Sequence, residues 1–422
     1  MEAGEWEDSA DGAGGKWRSR GGPVDVDSGV YGRDFSKQVG RIAVPVLLLA
    51  AGGLAAAELP KPVVPSPAMD LPARSLVVAV RDDAAITSLR PDAGRVRAMV
   101  NRAVTAVTGQ SDVASAWRSL VKPTDVVGIK IAAAGGPIGA TRKPVVAAII
   151  DGLIAAGVPR SQIVVWDRDE DELRAAGYLG PHAAIGAVVR PIAPRSYDRS
   201  VAFTAAVLGK LIWGDLDFVS SSPLASTLPN APLPPGDPFR NGGRPAFADD
   251  GRMSDVSYFA TILTKEVTKI INVPTMTDSV FAGVAGCLYN MTLPNLDNWR
   301  RFTFLKSPGS TAPRNTSDPY LAEIYSDPAI APRVVLNVMD GLVAQIAGGP
   351  EFQPNYCRPH ATIYASRDPV ALDAVVLRTI EQWRELAHLP PITEAAGYLW
   401  SAEQIKLGHA TLDKIDIRKL TP

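Results

Sequence analysis

The chain has 422 residues, 46% hydrophobic and 21% charged, which supplies one large or two modest cores and excludes a disordered protein. Its 43 basic and 44 acidic residues give a net charge of −1, without the basic footprint that nucleic acid or an anionic membrane surface requires. The two cysteines, Cys287 and Cys357, cannot supply the four thiolates of an ordinary iron–sulfur cluster or structural zinc site, so no such cluster is built within this chain and the cofactor is left unnamed.

Residues 1–31 are rich in Gly, Asp, Glu and Ser without an apolar period, and read as disordered or as a mis-assigned start. Residues 32–57 hold a basic beginning (Arg33, Lys37, Arg41), the apolar run Ile42 to Ala57 and the small-residue end Ala55-Ala56-Ala57, the parts of an export signal. The run is short for the ~20 residues of a stable span. Cleavage after Ala57 is therefore the first expectation, and an uncleaved anchor, the chain's one tie to a membrane, the second. Gly32-Arg33-Asp34-Phe35-Ser36-Lys37 resembles a twin-arginine motif with glycine for the first arginine, so a twin-arginine-like and a general secretory route both stand. Either route places the protein in the periplasm or cell envelope. Residues 58–73 are a Pro-rich, extended linker.

Residues 74–422 read as a single α/β domain. Arg74 to Arg81 is a first strand, and Ala93 to Thr108 a helix with Val96, Met99, Val100, Ala103 and Val104 along one side. Asp125 to Ile131, Lys143 to Ala156 and Gln162 to Asp167 then read as strand, helix and strand, with Gly157-Val158-Pro159 ending the helix. Such a βαβ unit implies an open, largely parallel central sheet with flanking helices in Rossmann-like layers. The Pro-, Gly- and Ser-dense segment 220–245 reads as one long loop, a lid, insertion or disordered stretch. Asp255 to Glu266 is expected to be a helix. The run Ile270, Ile271, Val273 is a buried strand closed by Pro274, and Thr277, Asp278 and Ser279 fall in a polar loop after it. Arg333 to Asp340 and Ala361 to Ala365 are further strands, and Pro369 to Trp383 is a helix capped by Asp368.

In open α/β sheets ligands gather outside the carboxyl ends of the strands, which directs attention to the residues released there. Lys130 either holds a carboxylate or phosphate as a point charge or caps a strand end. The loop Gly135 to Gly139, followed by Thr141, either offers backbone N–H groups to an anion or is a tight turn; it matches no nucleotide fingerprint. Asp167 and Asp340 end apolar runs at the expected site edge, while Asp169 to Glu172 read as a solvated helix start. Asp373 needs a partner or a wet face within the apolar segment VALDAVVL. Tyr289 and Asn290 either donate to an anionic ligand or pack. Cys357 and His360 are half of a metal site without a second half, and export favours a Cys287–Cys357 disulfide instead. There is no G-x-S-x-G elbow for a serine nucleophile.

Several segments together resemble the domain of unknown function family 362: IKIAAAGGPIGATRKPVVAAIIDGLIAAGVPRSQIVVWDR, IINVPTMTDSVFAGVAGCLYNM, VVLNVMDGLVAQIAGGPEF and YASRDPVALDAVVLRTIEQWRE. The resemblance spans Leu76 to Gly408, with DPVALD and MDGL…GGP its most specific parts. It implies an α/β fold, frequent export, and in some members an attached iron–sulfur segment that this chain lacks. Where relatives read P-V-L-K-D-H and A-L-K-N, this chain has Thr277 and Tyr289 at the lysine positions and Ser279 at the histidine position. Asp278, Asn290 and Lys130 are kept, and Ala132 replaces an asparagine.

The resulting expectation is an exported α/β protein with one polar pocket, formed by the loops after Lys130, Asp167, Pro274 and Asp340. It binds a small polar or anionic ligand, as a binding protein or a vestigial enzyme. Thr141, Asp167, Thr277, Ser279, Asn290 and Asp373 are the ligand-binding candidates. An extracytoplasmic enzyme of redox or group-transfer type, with Lys130, Asp278, Tyr289 and Asp340 as catalytic groups, is one alternative. A cell-envelope interaction protein using the 220–245 loop is the other.

Overall fold

The computed structural model describes residues 71–181, 183, 185–193, 196–210, 253–303 and 317–422. The assignments for residues 1–31 and 32–57, nearly all of the 58–73 linker and the 220–245 loop lie outside them. The strands are β1 (Ser75–Arg81), a small hairpin of β2 (Ile86–Thr87) and β3 (Arg90–Pro91), β4 (Val127–Ile131), β5 (Ile163–Asp167) and β6 (Val188–Pro191). They continue with β7 (Tyr197–Lys210), β8 (Met253–Ala260), β9 (Lys269–Val273), β10 (Thr275–Ser279) and β11 (Gly283–Val284). β12 (Val334–Gln345), β13 (Cys357–Ser366) and β14 (Ile415–Leu420) complete the series.

The central sheet runs β14-β1-β13-β12-β9-β4-β5-β6, with β10 joined to β12. From β12 through β6 all neighbours are parallel, and β13 alone runs against both of its neighbours. This is the open, largely parallel α/β architecture with flanking helices. The helix Ala93–Thr108 starts where the Asp92 side chain accepts from the Arg95 N–H and stops at Gly109, whose φ of 70° is left-handed. The helix Lys143–Ala155 connects the parallel strands β4 and β5. The helix Pro369–Leu386 begins at Asp368, which accepts from the Ala371 N–H at 2.8 Å.

Alternation along each strand divides the interior in two. Val78, Val80, Val127, Ile129, Ile131, Ile163, Val165, Ile271, Val273, Leu336 and Val338 face the helices Ala93–Thr108 and Lys143–Ala155. Val77, Ala79, Val164, Trp166, Ile270 and Met339 face the other way, beneath the helices Cys287–Met291 and Pro369–Leu386.

Three expectations are corrected. Residues 253–260 form strand β8 against β7, and only Ile262–Glu266 is helical, as a single wide turn. A partner strand distant in sequence decided this, and the buried alternation of Ser257 and Phe259 is the local trace of it. Thr275–Ser279 is a strand rather than a loop: Thr275 and Thr277 pair with Asp340 and Gln345 of β12. Pro274 breaks the ladder with β9, yet its carbonyl accepts from the Asp340 N–H at 2.9 Å and the chain resumes beside β12. Asp340 therefore lies within β12, not at its end.

Candidate functional site

One register row crosses the sheet on its second face: Trp166, Lys130, Asn272, Asn337 and Ser366 are side by side on β5, β4, β9, β12 and β13. Lys130 is fully buried and uses all three ammonium protons, on Asp167 Oδ1 at 2.6 Å, the Ile131 carbonyl at 2.6 Å and Asn290 Oδ1 at 3.0 Å. Burial pulls its pKa down and the Asp167 carboxylate opposes that shift. Asn290 in turn donates to Asn272 Oδ1 at 2.8 Å, and Asn272 to Asn337 Oδ1 at 2.9 Å and the Cys287 carbonyl at 3.0 Å. Lys130 therefore spends its side-chain nitrogen on protein acceptors and does not line the cavity.

Asp167 passes this order to the loops. Its Oδ2 accepts from the Ala133 N–H at 2.5 Å and its Oδ1 from the Arg168 N–H at 2.7 Å, anchoring the turn after β4 and the start of the turn after β5. Thr141 closes the first turn, accepting from Ala132 N–H and donating to the Val273 carbonyl. Asp340 accepts from the Arg142 backbone N–H at 2.7 Å and lies 3.4 Å from its guanidinium.

A second clasp holds the turn after β12. Asp278 accepts from the Gly349 N–H with both oxygens at 3.1 Å and from Gln345 Nε2 at 3.3 Å, with the Arg384 guanidinium at 3.7 Å. A Cβ on Gly349 would collide with the Asp278 backbone, so only glycine permits this approach. Gln345 extends the clasp to the Glu351 carbonyl at 2.8 Å and the Gln353 N–H at 2.8 Å. Burial pushes the Asp278 carboxyl up and the Gly349 N–H opposes it. Asp373 works the same way on the roof of the row: it accepts from the Cys287 N–H at 2.6 Å and Leu288 N–H at 3.0 Å, capping the helix Cys287–Met291, and burial raises its pKa to about 6. Ser279 Oγ accepts from Phe281 N–H at 3.2 Å and Ala282 N–H at 3.1 Å within its own turn.

Between these supports lies a cavity of about 760 Å3 at the carboxyl ends of β4 and β5 and along β10 and β12. Asp167, Thr277, Tyr289, Asn290 and Cys357 line it. Lys130, Thr141, Asp278, Ser279, Asp340, Asp373 and Cys287 do not; Asp278 and Asp340 instead hold backbone N–H groups of the turns that form the wall. Cys287 is fully buried and Cys357 half-buried, and both are free, so the expected disulfide is not formed; Cys357 instead lies 3.9 Å from Gln345 Oε1. His360 packs on Tyr364 and Trp383 rather than on a ligand set, and burial lowers its pKa to about 4.

The cavity also holds residues that the sequence did not single out. Arg168 and Arg300 lie over the Trp299 ring at 5.1 and 5.6 Å. Burial, and then the Arg168 charge, lower the Arg300 pKa. Glu172 is not merely part of a solvated helix start: it reaches the cavity rim, where loss of water and then the Asp167 and Asp169 carboxylates lift it to about 7. Glu351 and Phe352 come from the loop that Asp278 holds. Tyr289 is 9% exposed, and its hydroxyl has no hydrogen-bond partner among the described residues. Burial raises its pKa, with Glu172, Arg168 and Glu351 as the neighbouring charges. The sequence signal available for Arg300 was the aromatic-basic cluster Asp297-Asn298-Trp299-Arg300-Arg301.

Residues 237–378 match the family model of the domain of unknown function DUF362. The chain carries a DUF362 domain. The matched segment contains β8 to β13, and with them the Asp278 clasp, Tyr289, Asn290 and the Trp299–Arg300 wall. Asp167 and Arg168, which line the cavity, and Lys130 behind them lie outside the DUF362 match. No curated protein matches the chain.

Proposed function

We propose that the chain is a binding protein for a small polar ligand, held in the cavity between β4, β5, β10 and β12. The observation that carries this reading is the place of Tyr289: the residue is 9% exposed, it lines the cavity, and its hydroxyl makes no hydrogen bond among the described residues, so it is available to a ligand there. Apolar walls from Phe281, Leu293, Pro294 and Phe352 with a few converging polar groups are the usual composition of a small-molecule site. The saturated hydrogen bonding of Lys130, Asp278 and Asp340 favours binding over catalysis by those groups. Thr277, Ser279 and Tyr289, where relatives carry lysine, histidine and lysine, are the sense in which the site reads as a vestigial enzyme's.

Native mass spectrometry of the full chain isolated from its own source tests the reading. The expected result is a small adduct released on denaturation and absent from Trp299→Ala and Tyr289→Phe. A chain without an adduct, whose tryptophan fluorescence also ignores a library of polar metabolites, overturns it. Export is also proposed, on Arg33, Lys37, Arg41 and the apolar run to Ala57; retention in the cytoplasm unaffected by deletion of residues 32–57 would refute it.

A further inference from the structure

The polar groups on the cavity wall are unevenly used. Its inner side-chain acceptors are engaged: Asp167 Oδ1 takes Lys130 Nζ at 2.6 Å and its Oδ2 the Ala133 N–H, while Asn290 Oδ1 takes Lys130 and Gln345 Oε1 the Gln353 N–H. Its donors are not. Arg168 gives Nη1 to the Leu296 carbonyl at 2.6 Å, and its Nε and Nη2 have no acceptor among the described residues. The Trp299 ring, whose centroid lies 5.1 Å from the Arg168 guanidinium carbon, has a buried Nε1–H that also lacks one. Tyr289 brings its unpaired hydroxyl to the same cavity, where Arg168 is among the charges that bear on it. The Nε–Nη2 edge of a guanidinium is a two-donor fork that matches the two oxygens of a carboxylate. A carboxylate has about four acceptor positions and no donor, so two remain for Tyr289 and Trp299 once the fork is filled. The rim carboxylates Glu172 and Glu351 oppose this only weakly. Both are exposed, and Glu172, lifted to about 7 by loss of water and then by Asp167 and Asp169, carries only part of its charge at neutral pH.

We propose that the ligand is a carboxylate on an apolar body, its carboxyl group seated on the Nε–Nη2 edge of Arg168 and accepting from Tyr289 and Trp299. The apolar body lies along Leu293, Pro294 and Phe352, which line the same volume. This rests on the binding reading above and names its ligand class.

The test is calorimetric titration of the full chain with matched probes on one skeleton: benzoate, benzamide and phenylphosphonate, then hexanoate, hexanamide and hexylphosphonate. The expected result is that each carboxylate binds at least about ten-fold more tightly than its amide and its phosphonate. Arg168→Gln should reduce the carboxylate to the affinity of the amide. Arg168→Lys keeps the charge without the fork and should still lose about ten-fold. Tyr289→Phe removes a hydroxyl that no described residue uses, so it should melt with the wild type and yet bind the carboxylate several-fold more weakly, which separates lost binding from lost folding. Equal binding of the amide, tighter binding of the phosphonate, or full affinity in Arg168→Lys overturns the carboxylate and leaves the binding reading standing. Any adduct that the chain retains must release carbon dioxide on fragmentation; an adduct without a carboxyl group overturns the proposal but not the binding reading. Silence of every probe without a carboxyl-bearing adduct also overturns it, and the metabolite library then decides the binding reading separately.

Discussion

The two faces of the central sheet are made by the same strands and solve different problems. Toward the helices Ala93–Thr108 and Lys143–Ala155, β4 presents Val127, Ile129 and Ile131, all fully buried in an apolar layer. Toward the helix Cys287–Met291, the same strand presents Lys130, and its neighbours present Asn272 and Asn337 in register. The apolar face is held by burial, which is tolerant of shape and contributes roughly 1.5–3 kcal/mol per large side chain. The polar face is held by directed bonds, each of which leaves a costly orphan if a partner is lost. What the polar face adds is position: Lys130 fixes Asp167, Asp167 fixes Ala133 and Arg168, and the cavity wall follows.

The sharpest test of this contrast is Lys130→Met, which leaves Asp167 buried without its counter-charge. A loss of roughly 3–5 kcal/mol in the urea unfolding free energy is expected. Pairing it with Asp167→Leu should recover part of the stability without restoring ligand binding; full recovery of both would break the positioning argument. Asp373→Ala removes the acceptor for the Cys287 and Leu288 N–H groups, and about 2–3 kcal/mol should be lost by the same measurement. Gly286 belongs to this contact, since a Cβ there would collide with the Asp373 carboxylate.

Smaller effects sharpen the apolar side. Ile129→Val should cost about 0.5–1.5 kcal/mol and leave the adduct unchanged, because its side chain faces away from the cavity. His360 offers a pH test remote from the row. Its folded pKa of about 4 lies below the unfolded value near 6.5, so the unfolded chain binds the proton first. Its contribution to stability is present above about pH 6.5 and is lost as pH falls toward 4. His360→Phe should flatten that part of the urea midpoint profile; an unchanged slope would mean that the ring titrates normally.

Local signals were sufficient for much of the fold. The apolar stripe specified the helix Ala93–Thr108, Asp368 and Pro369 specified the start of the last long helix, and the strand-helix-strand spacing from Val127 to Asp167 implied a parallel sheet. These depend on neighbours a few residues apart, which is why sequence by itself determined them. β8 and β10 depended on partners elsewhere in the chain, and were read as helix and loop.

The site divides in the same way. Sequence alone indicated which chain segments reach the carboxyl edge, and Asp167, Thr277, Tyr289 and Asn290 do line the cavity. Only the tertiary structure decided which polar groups remain available there. Lys130 meets Asp167 across 37 residues and Asp340 meets Arg142 across 198, and each such pairing turns an apparent acid or base into a support. The same long-range packing brings Arg168, Glu172, Trp299, Arg300 and Glu351 around one volume from three separate segments. A side chain's type is local, but whether its charge is spent or free depends on what the fold places within hydrogen-bond reach.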